Sequence, residues 1–247
     1  MDYGSEEEKI RDINRKLRDY YGRPEPPQDL SGIEYLIETI LSQNTNDVNR
    51  DKAFNQLKEK YGDDWEKVEN EDINELTDTI RVAGLGPTKA ERIQESLRIV
   101  RKDSRSSGDV EESSNQGEYD LEFIEDMSIE EGKAWLTDIP GIGPKTAAII
   151  LCFYFRKPVM PVDTHVHRIS KRLGLIPENA SRTEAHSLLE EKVPDDIKYE
   201  FHRLLIDHGR EHCKARNPTC EEGPIPGYCK HYRKVENGGK DPDEVPY

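Results

Sequence analysis

Two glycines and a proline within four residues, Gly141-Ile142-Gly143-Pro144, constrain this chain more tightly than any other segment. Gly141 and Gly143 flank Ile142 in a turn that needs a positive φ or a close backbone approach. Pro144 suits the first position of a helix, where its missing N–H costs nothing. Lys145 follows in the first helical turn, at the positive end of the helix dipole. A cation is disfavoured there, and such a position lowers a lysine pKa, the usual route to a nucleophilic amine. Downstream, Pro161-Val162-Asp163-Thr164-His165-Val166-His167-Arg168 opens a second helix, with Asp163 at its cap. Leu136 to Leu173 thus reads as a hairpin, a helix, a connector and a second helix.

The two motifs together resemble the helix-hairpin-helix DNA glycosylases, and among them the endonuclease III branch. That family carries L-P-G-V-G-x-K-T-A followed by V-D-T-H-V-x-R; here the runs are Ile139 to Ala147 and Val162 to Arg168. The resemblance implies that Lys145 is a Schiff-base nucleophile and Asp163 the catalytic carboxylate. It also implies DNA contacts from Gly141, Ile142, Gly143, His165 and Arg168. Read singly, each catalytic candidate has a plainer alternative: a solvated lysine, and an aspartate that only caps a helix.

Two further segments extend the resemblance. Leu41-Ser42-Gln43-Asn44-Thr45-Asn46-Asp47 is similar to the family's L-S-x-Q-x-T-D, whose glutamine fills the space left by a flipped nucleotide. Aligned on Asp47, that place holds Asn44, with Gln43 one residue earlier, so either can be the wedge. Gly84-Leu85-Gly86-Pro87 echoes the catalytic hairpin, but its lysine, Lys89, comes one residue later than Lys145 would require. One residue on a helix is about 100° of rotation, so Lys89 cannot hold the equivalent place. Leu85 is either an apolar wedge into the base stack or a buried leucine in an ordinary helix-helix turn.

Composition fixes the fold class. The chain of 247 residues is 33% hydrophobic and 35% charged, so its core must come from amphipathic helices. No segment alternates as a strand does, and the expected fold is all-α. Residues 5–22, a helix after Ser31, then 47–61, 73–80, 128–136, a helix capped by Thr183, and 197–208 read as helices. Pro24, Pro26 and Pro27 mark a linker. Residues 102–118, rich in Ser, Gly and acid, are expected to be a disordered insertion, and 236–247 a disordered tail. The resemblance implies two lobes with a DNA-binding cleft between them: a hairpin-bearing bundle at 28–157, and a second lobe of 1–27 with 158–235.

No apolar run has the length of a membrane span, and MDYGSEEEKI lacks the basic and apolar regions of a signal peptide. A cytoplasmic, monomeric protein is expected. The formal charge of −15 opposes DNA binding unless the surroundings are very salty, where the Debye length falls to ~3 Å at 1 M. A halophilic source is one reading of the acidic surface, and a partly acidic regulatory protein the other. Arg156, Lys157, Arg168, Lys171 and Arg172 form a locally basic stretch.

Cys213, Cys220 and Cys229 cluster near the C-terminus, while Cys152 sits on an apolar helix as a small buried hydrophobe. Endonuclease III relatives carry C-x6-C-x2-C-x5-C, which binds a four-iron iron–sulfur cluster. Here Gly223 stands at the third position. The resemblance therefore implies a degenerate metal site, with His212 or His231 substituting or the cluster lost. His202 and His208 read as ligands or as histidines packing on neighbours. The function implied is base excision from double-stranded DNA carrying damaged bases, oxidised pyrimidines by resemblance, with AP lyase activity. A monofunctional or mismatch-specific glycosylase, and a non-catalytic DNA-binding module, are the alternatives.

Overall fold

The computed structural model describes residues 4–25, 30–104 and 119–236. The expectations for 105–118 and 237–247 lie outside the described residues. Among those described there are α-helices and short 3-10 turns and no strand. In chain order the helices are α1 (Glu6–Tyr21), α2 (Gly32–Ser42), α3 (Asp47–Tyr61), α4 (Trp65–Asn70), α5 (Ile73–Ile80), α6 (Gly86–Ser104), α7 (Ile129–Asp138), α8 (Pro144–Phe153), α9 (Thr164–Leu173), α10 (Arg182–Lys192), α11 (Lys198–Glu211) and α12 (Lys230–Glu236). The fold is all-α. The chain divides into two compact units, Pro27–Phe155 and Met1–Pro26 with Arg156–Tyr247.

The spine of the first-named unit is α6. Ala90, Ile93, Leu97 and Val100 recur every three or four residues along it and are completely buried, the spacing of one helical face. Ile33, Leu36, Ile37, Ile40 and Leu41 do the same for α2. Each such Val, Leu or Ile side chain contributes about 1.5–3 kcal/mol on burial. Ser31 starts α2 with a capping box, its hydroxyl accepting from the Glu34 N–H while Glu34 returns to the Ser31 N–H. Ser128 and Glu131 repeat that box at α7.

The end of α6 corrects the expected start of the insertion. Lys102 to Ser104 are helical, and the buried Ser104 hydroxyl donates to Val100 O and Asp120 O at 2.8 and 2.7 Å. Just beyond, Tyr119 and Leu121 are buried too. The Tyr119 hydroxyl and the Arg101 guanidinium both donate to Glu69, at 2.7 and 2.6 Å. That buried carboxylate is thereby neutralised, as its desolvation requires.

In the other unit, Ile10, Ile13 and Leu17 of α1 join one core with Val166, Ile169 and Leu173 of α9 and Phe201, Leu204 and Leu205 of α11. The cap of α10 is Ser181, not Thr183. Its hydroxyl accepts from the Glu184 N–H and Glu184 returns the bond, which is why the helix starts earlier than expected. Glu236, assigned to the tail from sequence, ends α12, and α11 reaches Glu211 rather than His208. Cys152 is buried, as expected. No helix among the described residues is long and apolar enough to cross a membrane.

Candidate active site

The hairpin joins α7 to α8. Gly141 sits at φ +85°, the left-handed region where a side chain is strained. The Ile142 N–H closes the turn onto Ile139 O at 3.0 Å. Ile142 itself is buried, so it shapes the turn and its side chain is not offered to a ligand. Gly143 precedes α8 and Pro144 takes the first helical position, with no side chain capping the helix. The N–H groups of Lys145 and Thr146, which a helix cannot satisfy itself, are left for another acceptor. Lys145 is exposed.

Helix α6 holds this hairpin and two other turns in place. Gln43 donates through Nε2 to Gly141 O at 2.9 Å and accepts at Oε1 from Arg92 Nη1 at 2.7 Å. A Cβ on Gly141 would collide with the Arg92 side chain. One turn earlier on α6, the fully buried Lys89 donates to Leu41 O and to Ala83 O, both at 2.8 Å. Burial first, and Arg92 second, lower the Lys89 pKa. Lys89 and Arg92 thus fasten the turns at 41–45, 83–86 and 139–143 to one another.

Both wedge candidates of these turns have left-handed backbones. Leu85 lies at φ +52° and Asn44 at φ +53°, costly for a leucine and easier for an asparagine. Leu85 is 56% exposed, which overturns the reading of a buried turn residue. Asn44 is also exposed. Gln43, engaged at both ends of its amide, is instead a clamp. Strained, outward residues of this kind gather at functional sites.

In the other unit, Asp163 caps α9. Its Oδ1 accepts from the Val166 N–H at 2.7 Å, and the half-buried carboxylate keeps its second oxygen outside that bond. Arg168 lies one turn along. It donates to the Cys213 carbonyl through Nε and Nη2 at 3.0 and 2.7 Å, and to Gly209 O at 3.3 Å. The guanidinium therefore caps the C-terminal end of α11, a structural role that the sequence did not suggest for Arg168. Its Nη2 also lies 3.1 Å from His165 Nδ1. Burial lowers the His165 pKa, partly opposed by Asp163. A Cβ on Gly209 would strike the His165 ring, so a glycine is needed there.

The three C-terminal cysteines face one recess, lined also by Ile169, Arg172 and His208. Arg172 Nη1 donates to Cys213 Sγ at 3.3 Å and to Lys214 O at 2.7 Å. Burial, then the neighbouring thiols, push the Cys220 thiol up to about 11, and burial raises Cys229 as well. Of the two histidines proposed from sequence, His212 adjoins Gly223, its Cβ 3.3 Å from where a Cβ on that glycine would stand. His212 engages Tyr20 Oη through Nε2 at 3.2 Å and Thr219 Oγ1 through Nδ1 at 3.3 Å, and neither it nor the buried His231 lines the recess. His202 is buried, with Nδ1 2.8 Å from Pro161 O.

Residues 37–195, which include the hairpin, Lys145 and Asp163, match the family described as HhH-GPD superfamily base excision DNA repair protein. The chain belongs to that superfamily. Within it, this DNA glycosylase is 33% identical to the Endonuclease III of Sulfolobus acidocaldarius over 198 residues, 80% of this chain and 81% of the relative. It is 35% identical to the Endonuclease III of Thermotoga maritima over 217 residues, 87% and 90% of the two chains. A solved structure titled as a non-covalent Endonuclease III–DNA complex superposes with a TM-score of 0.73 at 28% identity, covering 94% of this chain and 98% of that one.

Sequence reasoning reached the residues that could do chemistry in this glycosylase and missed those that hold them. Leu41 and Gln43, the partners that tie Lys89 and Arg92 to another turn, lie 48 and 49 residues away and leave no local pattern. The one available signal for Lys89 was a lysine set among apolar positions of α6.

Proposed function

We propose that the protein is a bifunctional DNA glycosylase and AP lyase that removes oxidised or saturated pyrimidines through a Schiff base on Lys145. The observation that carries this reading is an exposed lysine in the first turn of a helix whose N-terminus has no side-chain cap. The Lys145 amine attacks C1′ of the damaged nucleotide as the C1′–N bond breaks and the base departs. Ring opening gives a protonated Schiff base at C1′, and loss of a C2′ proton then expels the 3′ phosphate. Asp163, fixed as a carboxylate acceptor by its capping role, stabilises positive charge developing on the sugar and helps deprotonate the lysine. The free N–H groups at the start of α8 suit a phosphate oxygen. Leu85 and Asn44 suit the gap left by a flipped nucleotide.

The same reading makes the protein a monomer acting on damaged double-stranded DNA in the cytoplasm. In it, Cys213, Cys220 and Cys229 form a degenerate iron–sulfur site with Gly223 at the place of the missing cysteine, which holds a cluster poorly or not at all. A monofunctional enzyme would need no amine at the position of Lys145. The test is single-turnover base release across duplexes bearing different lesions, with wild type and Asp163→Asn. Asparagine keeps the capping ability of Asp163, so base release from oxidised pyrimidines should slow about 10²–10⁴-fold with little change in melting temperature. Equal rates would reduce Asp163 to a helix cap.

A further inference from the structure

The turn that precedes Lys145 is made of residues that hold their shape poorly. Gly141 and Gly143 have more backbone freedom than any residue with a side chain, and Gly143 caps α8 without a side-chain bond. What fixes the turn is the peptide between Gly141 and Ile142, which is held at both ends. Its N–H donates to Ile139 O at 3.0 Å, within the turn. Its carbonyl, Gly141 O, accepts from Gln43 Nε2 at 2.9 Å, a bond that spans 98 positions of the chain. All of these residues belong to the Pro27–Phe155 unit.

An amide group has nearly the same outline whichever way it is turned, so its sense is set by its neighbours. Gln43 stands between a group that only accepts and a group that only donates. Arg92 Nη1 donates to Gln43 Oε1 at 2.7 Å, and a guanidinium has no acceptor to offer. Oε1 is thereby committed to Arg92, and Nε2 is turned to Gly141 O. A reversed amide would set donor against donor at Arg92 and acceptor against acceptor at Gly141. The Arg92 side chain also packs on Gly141 itself, where a Cβ would collide with its Nε and Cδ. Gln43 directly precedes Asn44, which is exposed at φ +53°. One side chain thus ties the turn that presents a wedge candidate to the turn that leads to Lys145.

We infer that Gln43 and Arg92 are positioning residues for the reaction at Lys145. Gln43 holds the Gly141 carbonyl, and with it the start of α8, while Arg92 sets the sense of the Gln43 amide. The inference rests on the Schiff-base role of Lys145 proposed above. The bond from Gln43 to Gly141 is exposed, so water can replace either partner and its loss costs little stability. Its loss does free the start of α8 to shift, and a misplacement of about 1 Å can slow a reaction about 10²-fold. A carbonyl held by Gln43 is also kept from turning toward an anion at the α8 N-terminus, which it would repel.

The experiment measures the rate of borohydride trapping of the full chain on an abasic-site duplex, under single turnover with protein in saturating excess. Affinity for a duplex carrying a tetrahydrofuran abasic analogue and the melting temperature are read beside it. Gln43→Met, of similar length but with neither donor nor acceptor, should slow trapping about 10–10²-fold, with affinity and melting temperature nearly unchanged. Gln43→Glu should be as slow, because a carboxylate still accepts from Arg92 but has no hydrogen to give Gly141 O. Arg92→Met should slow trapping as well, and Arg92→Lys, which again only donates, should recover most of that loss. A role confined to fastening the turns predicts the opposite for Gln43→Glu, since an ion pair with Arg92 would hold them at least as well. Wild-type rates in Gln43→Met or Gln43→Glu would overturn the inference. So would a loss of affinity with the rate at saturation unchanged, the signature of a wedge. Absence of any trapped adduct in wild type would instead remove the role of Lys145, and the inference with it.

Discussion

The turns at 84–89 and 141–145 are built from the same residues and present opposite faces. Both run Gly-aliphatic-Gly-Pro into a helix, and both open on a left-handed glycine, at φ +70° for Gly84 and +85° for Gly141. In the first turn the aliphatic residue, Leu85, points outward and the lysine is buried against two carbonyls. In the second the aliphatic residue, Ile142, is buried and the lysine is exposed. Helix α6 begins at Gly86, directly after the leucine, whereas α8 begins at Pro144, two residues after the isoleucine. A one-residue shift of the lysine turns it by about 100° around its helix, enough to exchange a site on the surface for one in the core. One turn motif thus yields a structural staple with an apolar tip in one place and an available amine in the other.

Substitutions can break this contrast from either side. Lys89→Met keeps the length of the side chain but deprives two buried carbonyls of their donor. The loss should be about 2 kcal/mol of stability, read by denaturant unfolding, while each folded molecule still forms the borohydride-trapped adduct. A loss of trapping with unchanged stability would exchange the roles given to Lys89 and Lys145. A smaller effect, of opposite sign, is expected at Leu85. Leu85→Gly relieves a left-handed leucine and should raise stability by about 1 kcal/mol, while affinity for lesion-bearing duplex falls about tenfold. Unchanged affinity would make Leu85 an incidental exposed residue.

The local grammar of the fold was legible because it is written within a few residues. The Ser31–Glu34 and Ser128–Glu131 boxes, Pro144 at a first helical position and Asp163 as a cap each rest on a span of one turn. Ser181-x-x-Glu184 is an equally local box, and its two reciprocal bonds place the cap two residues before Thr183. The tertiary uses of polar side chains were not legible. Arg168 belongs to a motif associated with DNA, yet its guanidinium closes on carbonyls of α11 and the loop beyond it, more than 40 residues later. The crowding of Gly223 by His208 and His212 likewise joins a loop to a helix, and shows only when a Cβ is placed on the glycine.

The central claim is that Lys145 is the amine which forms the covalent intermediate. Its most direct test is borohydride trapping of the full chain on a duplex containing an abasic site, then proteolysis and mass mapping of the adduct. The adduct should fall on Lys145 alone, be absent from Lys145→Ala and Lys145→Arg, since arginine cannot give up its proton to attack, and persist in Lys89→Met. An adduct on any other amine of wild type, or trapping that survives in Lys145→Ala, would contradict the account.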